Sequence, residues 1–212
     1  MVNKIVKTIG FLVSQATKVI AGMVQHAEVL PLPYSTAANL PGKMTALNTS
    51  NNAHKQALLV MKEKQVTLKS AVRTARRFMM VVRENLKPIL GTRYNEQWSA
   101  AGFAGGLAVP SSGDKLLNAL QVMKGYLTAH PIPDGGPTLA AARAGQLYDD
   151  LSAAIIAVTQ QKQAVKQALK ERDEKADALE KGLRTVLSEL HQVITPVDAK
   201  WLSFGFKMPG IK

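Results

Sequence analysis

Apolar residues recur at helical spacing along almost the whole chain. Ile5, Ile9, Leu12, Ala16, Val19, Met23 and Leu30 advance by fours and threes through residues 4–30, which predicts one amphipathic helix. His26 occupies the step that this stripe skips, and reads as a residue at the edge of a core. Pro31, Pro33 and Pro41, with Ser35, Thr36, Asn39 and Gly42 among them, predict a loop, because proline lacks the backbone donor and collides with a continuing helix. A second helix follows from near Thr45 to Ile89. Its seam is Leu58, Met61, Gln65, Leu68, Val72, Ala75, Met79, Val82, Leu86 and Ile89, the a/d pattern of a helix that packs lengthwise against a neighbour. Pro88 should end or kink it, and Gly91 supplies a stop.

Residues 92–114 read as a connector, with Asp114 as the N-cap of a third helix. That helix carries Leu116, Leu120, Met123 and Leu127 on one face and ends at His130-Pro131. Pro133-Asp134-Gly135-Gly136-Pro137 forms the next loop. Thr138 opens a fourth helix, 138–194, whose seam runs Leu151, Ile155, Val158, Lys162, Val165, Leu169, Arg172, Ala176, Leu179, Leu183, Val186, Leu190 and Val193.

The two long helices look like copies. Leu58 to Val72 fall on Ile155 to Leu169 at an offset of 97, and Val72 to Ile89 fall on Ala176 to Val193 at an offset of 104. The difference is one heptad, which preserves the packed face. Each long helix is followed by a six-residue signature, Trp98-Ser99-Ala100-Ala101-Gly102-Phe103 and Trp201-Leu202-Ser203-Phe204-Gly205-Phe206. These signatures read as packing at the bundle ends, the glycine permitting a sharp reversal; an exposed Trp/Phe docking surface is the alternative. The expected fold is all-α: an elongated four-helix bundle of two tandem αα-hairpin repeats, 1–110 and 111–212, packed together.

Gly102 to Pro110 (G-F-A-G-G-L-A-V-P), Ala129-His130-Pro131, Thr138 at the start of a long helix, and Asp198 to Pro209 (D-A-K-W-L-S-F-G-F-K-M-P) resemble an uncharacterised group of bacterial tandem helical-hairpin proteins. Such proteins occur in Verrucomicrobia-like genomes, some with fibronectin type III-like modules after the helices. The resemblance covers most of the chain and rests on short structural motifs. It implies a helical fold and a bacterial or phage origin, and no particular activity.

Composition narrows the classes. Apolar residues make up 46% of the 212 residues, too many for a disordered chain. The chain has no cysteine, so disulfides, thiolate nucleophiles and Cys-based zinc sites are excluded. No apolar run approaches the ~18 residues of a membrane span. The short apolar stretch after Lys4 and Lys7 is a poor signal peptide, so the expected setting is the cytoplasm. Net charge is +12 and uneven along the sequence. Residues 1–110 hold 14 Lys/Arg against 4 Asp/Glu, and 111–212 hold 13 against 11. A basic half points to an anionic partner, or to solubility alone.

The most distinctive polar feature is a basic stripe on the second helix: Lys62, Lys69, Arg73, Arg76, Arg77, Arg83 and Lys87. Cations flanking a seam can pair with carboxylates on a neighbouring helix, and Glu171, Asp173, Glu174, Asp177 and Glu180 on the fourth helix are the expected internal partners. The stripe could instead meet an acidic protein or nucleic-acid phosphates, although no aromatic residues alternate with it for base stacking. The four histidines (His26, His54, His130, His191) are far apart in sequence. Asp149-Asp150 reads as a solvated face. Gly105-Gly106 lacks the Lys-Ser/Thr of a phosphate loop, and Met23, Met61, Met79 and Met123 read as core filler. No catalytic residue, cofactor or metal site is expected. The expected function is a non-enzymatic structural or protein-interaction module acting as scaffold, spacer or assembly subunit, with self-association among its options. The alternative is a basic nucleic-acid-associated protein.

Overall fold

The computed structural model describes residues 5–30, 39–133 and 135–210. They form six α-helices, one short 3-10 turn (Pro137–Leu139) and, among the described residues, no strand. The helices are α1 (Ile9–Gln25), α2 (Asn39–Leu90), α3 (Glu96–Ala100), α4 (Gly113–Ala129), α5 (Ala141–Val193) and α6 (Lys200–Ser203). Four were expected; α3 and α6 are single turns made by the two tryptophan signatures.

Several ends differ from the expected ones for local reasons. α1 stops at His26, which leaves helical dihedrals while its N–H closes on the Gly22 carbonyl at 3.0 Å. Pro31, Pro33, Ser35 and Thr36 lie outside the described residues. Pro41 does not end anything: it sits in the first turn of α2, where its missing N–H would have no intrahelical partner. The helix therefore begins at Asn39 and buries Leu40. α2 also runs through Pro88 to Leu90, and Gly91, at φ 87°, donates to the Lys87 carbonyl at 2.9 Å. The N-cap of α4 is Ser112, whose Oγ accepts from the Lys115 N–H at 3.3 Å. Asp114 lies one turn in, where a negative charge favours the helix N-terminus. Thr138 belongs to the 3-10 turn, and α5 starts at Ala141.

The chain divides into two compact units, and they cut across the sequence halves. One takes Met1–Ala57 with Val165–Lys212; the other takes Leu58–Ala164. In the first unit α1 and the start of α2 share a core with the end of α5 and the second signature, through Leu12, Val19, Leu47, Leu183, Trp201 and Phe204. In the second unit α4 and the start of α5 share a core with the end of α2 and the first signature, through Leu120, Met123, Leu147, Met79, Trp98 and Phe103. Each unit thus combines the first part of one copy with the last part of the other, so the boundary at residue 110 does not divide the cores.

Burial also settles the internal register. Eleven buried apolar residues of the first copy have a buried apolar counterpart 104 positions later: Leu12, Ala16, Val19, Met23, Leu40, Leu47, Ala75, Met79, Val82, Leu86 and Leu90. α1 and α4 are both 17 residues long and both end on a histidine, His26 and His130, in the same relation. A single offset therefore runs from α1 to Leu90, and no inserted heptad is needed. The offset of 97 also matched because a shift of seven returns nearly the same helix face. At the 104 offset Gln65 corresponds to Leu169 and Lys162 to Leu58, so these two polar seam residues, which coincide at an offset of 97, do not match. The seam is buried only towards its end: Leu58 is 40% exposed, and Ile89 is 54% exposed beside a buried Leu90. Ile194 likewise replaces Val193 in the second copy. In both helices the last step is four rather than three.

The signatures are built alike. Asn95 caps α3 by accepting from the Trp98 N–H. The Trp98 indole N–H donates to the Gly91 carbonyl at 3.1 Å, and the Trp201 indole to the Thr195 carbonyl at 2.9 Å. Each indole thus satisfies a carbonyl just beyond the end of a long helix, where the helix itself leaves acceptors unpaired. The Phe103 N–H returns to the Trp98 carbonyl and the Phe206 N–H to the Trp201 carbonyl, both at 3.0 Å. The intervening Gly102 and Gly205 have φ of 90° and 72°. Trp and Phe then meet nearly edge to face, at 5.3 Å in one unit and 6.4 Å in the other, a geometry that adds about 0.5–1.5 kcal/mol beyond burial.

A Cβ at Gly102 would lie 2.7 Å from the Ala119 carbonyl oxygen of α4, whereas a Cβ at Gly105, also at positive φ, meets nothing within 4 Å. Gly105→Ala should therefore cost only the backbone conformation, about 1–3 kcal/mol. Gly102→Ala should cost about 1–3 kcal/mol more, as overpacking against α4. Urea denaturation of the two variants measures the difference, and equal losses would count against the tight docking of signature on helix.

Candidate functional site

The basic stripe lies on the part of α2 that belongs to the second unit. Lys62, Lys69, Arg73 and Arg77 are exposed, and Arg76, Arg83 and Lys87 are half-buried. Two of the seven are already engaged. Arg83 and Lys87 both hold Glu84, at 2.7 and 2.5 Å, and Arg83 also donates to the Leu107 carbonyl at 3.0 Å. Hydrogen bonds from Lys87 and then Arg83 keep the Glu84 carboxyl below the usual carboxylate range. This local trio was readable from the i, i+3 spacing of Glu84 and Lys87. The other five, Lys62, Lys69, Arg73, Arg76 and Arg77, form no ion pair with any described residue.

The expected internal partners are spent elsewhere. Asp177 pairs with Lys7 at 2.5 Å, Asp173 with Arg172 at 2.6 Å and Glu180 with Arg184 at 2.7 Å. Glu174 stands 3.9 Å from Lys170, and Glu171 accepts from Gln167 at 2.8 Å. All of these groups belong to the first unit.

Lys69, Arg73, Arg76 and Arg77, with Val72 and Met80, line a shallow, open hollow on the surface of α2, and all six belong to this one helix. No carboxylate lines it. The Arg76 Nε is sealed from solvent and meets no acceptor. Val72 packs against the core of the unit, while Met80 is 40% exposed. Lys69, Arg73 and Arg77 follow one another at i, i+4, where like charges destabilise a helix by about 0.2–0.5 kcal/mol per pair. Arginine forks suit carboxylates and phosphates alike. The apolar part of this site, Met80 with Val72, escaped the sequence reading because both positions look like ordinary seam or flank residues. A second hollow of about 470 Å³ in the same unit is lined largely by small residues, with Arg143 and Asp150 among its walls.

The 104-residue register adds an observation about charge. Lys69, Arg73 and Arg76 of the first copy correspond to Asp173, Asp177 and Glu180 of the second. Charge is opposite at these three positions, whereas Lys62 and Arg77 correspond to Lys166 and Lys181 and keep their sign. By unit, however, the excess is even: 13 Lys/Arg against 7 Asp/Glu in 58–164, and 14 against 8 in the remainder.

One cluster has the residue types of a hydrolytic triad but different wiring. His26 Nε2 lies 2.9 Å from Ser203 Oγ. The Ser203 hydroxyl donates to the Lys200 carbonyl at 2.7 Å, so it accepts from the imidazole instead of giving it a proton. Asp198 spends its oxygens on the Lys200 N–H at 2.8 Å and the Lys200 ammonium at 3.0 Å. The buried Gln15 amide also donates to the Phe204 carbonyl at 3.0 Å. These polar groups tie α1 to the second signature, and the sequence separation of some 180 residues hid them. The remaining histidines are apart: His54 on α2, His130 stacked on Tyr126 at 4.7 Å, and His191 against Trp201 at 4.7 Å. Asp149 and Asp150 are exposed on α5. The Gly105 N–H donates to the Tyr94 hydroxyl in a turn. Among the described residues no group of three or more His, Asp or Glu is placed to hold a metal ion, and no helix is long and apolar enough to cross a membrane. No protein family, curated protein or solved structure matches the chain.

The Lys200 backbone N–H first, and its ammonium second, hold the Asp198 carboxyl below its ordinary range. A carboxyl whose folded pKa is depressed stabilises the fold above its ordinary pKa and loses that contribution as pH falls through the folded value. The denaturation midpoint, followed by tryptophan fluorescence, should therefore drop as pH falls below about 4. In Asp198→Asn, which keeps the backbone acceptor but not the charge, it should drop less. An identical acid profile would show that this carboxylate contributes nothing.

Proposed function

We propose that this chain is a non-enzymatic, tandem-duplicated helical module, a scaffold or assembly subunit that engages an anionic partner through α2. The observation that carries this reading is the row of five cations, Lys62, Lys69, Arg73, Arg76 and Arg77, without a carboxylate partner among the described residues. Like charges held together in a folded state are relieved by an external anion. A protein partner fits better than nucleic acid, because the cations border apolar Val72 and Met80 and because both tryptophans are fully buried and so cannot stack on bases. A cytoplasmic setting belongs to the same proposal.

Phosphate neutralisation by the same row is the second reading. If all five cations engage duplex DNA, log K should fall against log salt with a slope of roughly −4 to −5. A salt series with a DNA duplex and with polyglutamate separates the two. Lys69→Glu/Arg73→Glu/Arg76→Glu should abolish binding to whichever anion is held while leaving the helical circular dichroism intact. Failure of every polyanion to bind at low salt would end the reading.

A further inference from the structure

The cationic hollow has an acidic counterpart on α5. At the 104-residue register its Lys69, Arg73 and Arg76 become Asp173, Asp177 and Glu180. These sit at equivalent positions on equivalent helices, and the buried residues around them, such as Ala75 and Met79 against Leu179 and Leu183, match in the same register. At these three positions the two faces present charge with the same helical spacing and opposite sign, while Arg77 falls on Lys181 and keeps its sign. Among the described residues these cations form no ion pair, and the ion pairs of the three carboxylates are with Lys7, Arg172 and Arg184.

From this we propose that the anionic partner of the α2 hollow is a second copy of this chain, which presents the α5 face of Asp173, Asp177 and Glu180. The inference rests on the anionic-partner reading above and narrows it. Three features suit this occupant. Arg76 is half-buried and forms no ion pair with a described residue, and a carboxylate is the acceptor that an arginine fork matches best. The ion pairs now holding the acids are solvent-exposed on at least one side, with Lys7 59%, Arg184 60% and Asp173 56% exposed, so exchanging them for an intermolecular pair costs little. Met80, exposed at the edge of the hollow, supplies an adaptable apolar contact. The contact joins two unlike patches, so it either closes as a ring or reciprocal pair, or continues as an open chain of subunits. Because it is charge-led, it forms fast and weakens with salt.

The test is sedimentation of the full chain across protein concentration and salt. Wild type should self-associate at low salt and dissociate above about 0.5 M, where screening reaches contact range. Two reversed variants carry the argument: Lys69→Glu/Arg73→Glu/Arg76→Glu, and Asp173→Lys/Asp177→Lys/Glu180→Lys. Each alone should be monomeric, and an equimolar mixture should associate again, which no effect on folding can imitate. Lys115→Gln, at an exposed lysine of α4 outside the stripe, should associate within about twofold of wild type. Arg76→Gln should weaken association about tenfold or more, as expected when one partner of a desolvated charge pair is removed. A wild type that stays monomeric at low salt yet binds polyglutamate or duplex DNA overturns this inference and leaves the anionic-partner reading standing. A mixture of reversed variants that fails to associate overturns it too. A chain that neither self-associates nor binds any polyanion removes both.

Discussion

The structure depends on one repeated docking event: a tryptophan signature closing over a short helix. The indole of Trp98 or Trp201 is fully buried, and its N–H takes a carbonyl just past the end of a long helix. The glycine just before the final phenylalanine reverses the chain, and in each unit the backbone comes close enough that a side chain would not fit. Gly102 lies on the Ala119 carbonyl of α4; Gly22 of α1 lies under Phe204, whose ring would be 2.7 Å from an added Cβ. Hydrophobic burial, a capped helix end and a left-handed residue are all satisfied by the same six residues. Removing a buried tryptophan of this kind costs about 3–5 kcal/mol, a large share of the marginal stability of a small helical domain.

Much of this was legible in the sequence, and what was not has definite causes. The all-helical class and the existence of four long or medium helices follow from apolar spacing alone, because a 3.6-residue period is hard to mistake over many turns. The register between copies was not legible from that period: a heptad seam looks nearly the same after a shift of seven, and only burial distinguishes 97 from 104. Pro41 misled for a different reason. Proline breaks a helix interior but is harmless in a first turn, and nothing local to Pro41 says which it occupies. Partnership between distant segments was least legible. His26 with Ser203, and Gln15 with the Phe204 carbonyl, need the fold to bring them together.

The cationic stripe illustrates how charge pattern and tertiary structure can part company. Its residues were evident, and so was a set of carboxylates with matching spacing. At an offset of 104 the buried positions of the two long helices match, whereas on the outer face Lys69, Arg73 and Arg76 fall on acids and Lys62 and Arg77 on lysines. Among the described residues, Glu84 alone forms ion pairs with the stripe, holding Arg83 and Lys87.

The exchange of parts between copies has a consequence for how such a chain can change. Since α1 rests on the second signature and α4 on the first, neither repeat owns a complete interior. Excising one would not leave a smaller working protein but two incomplete halves, each exposing the surface its missing counterpart covered. The duplicated stretches are consequently bound to a shared fate on their inner sides, while their solvent sides remain at liberty to specialise.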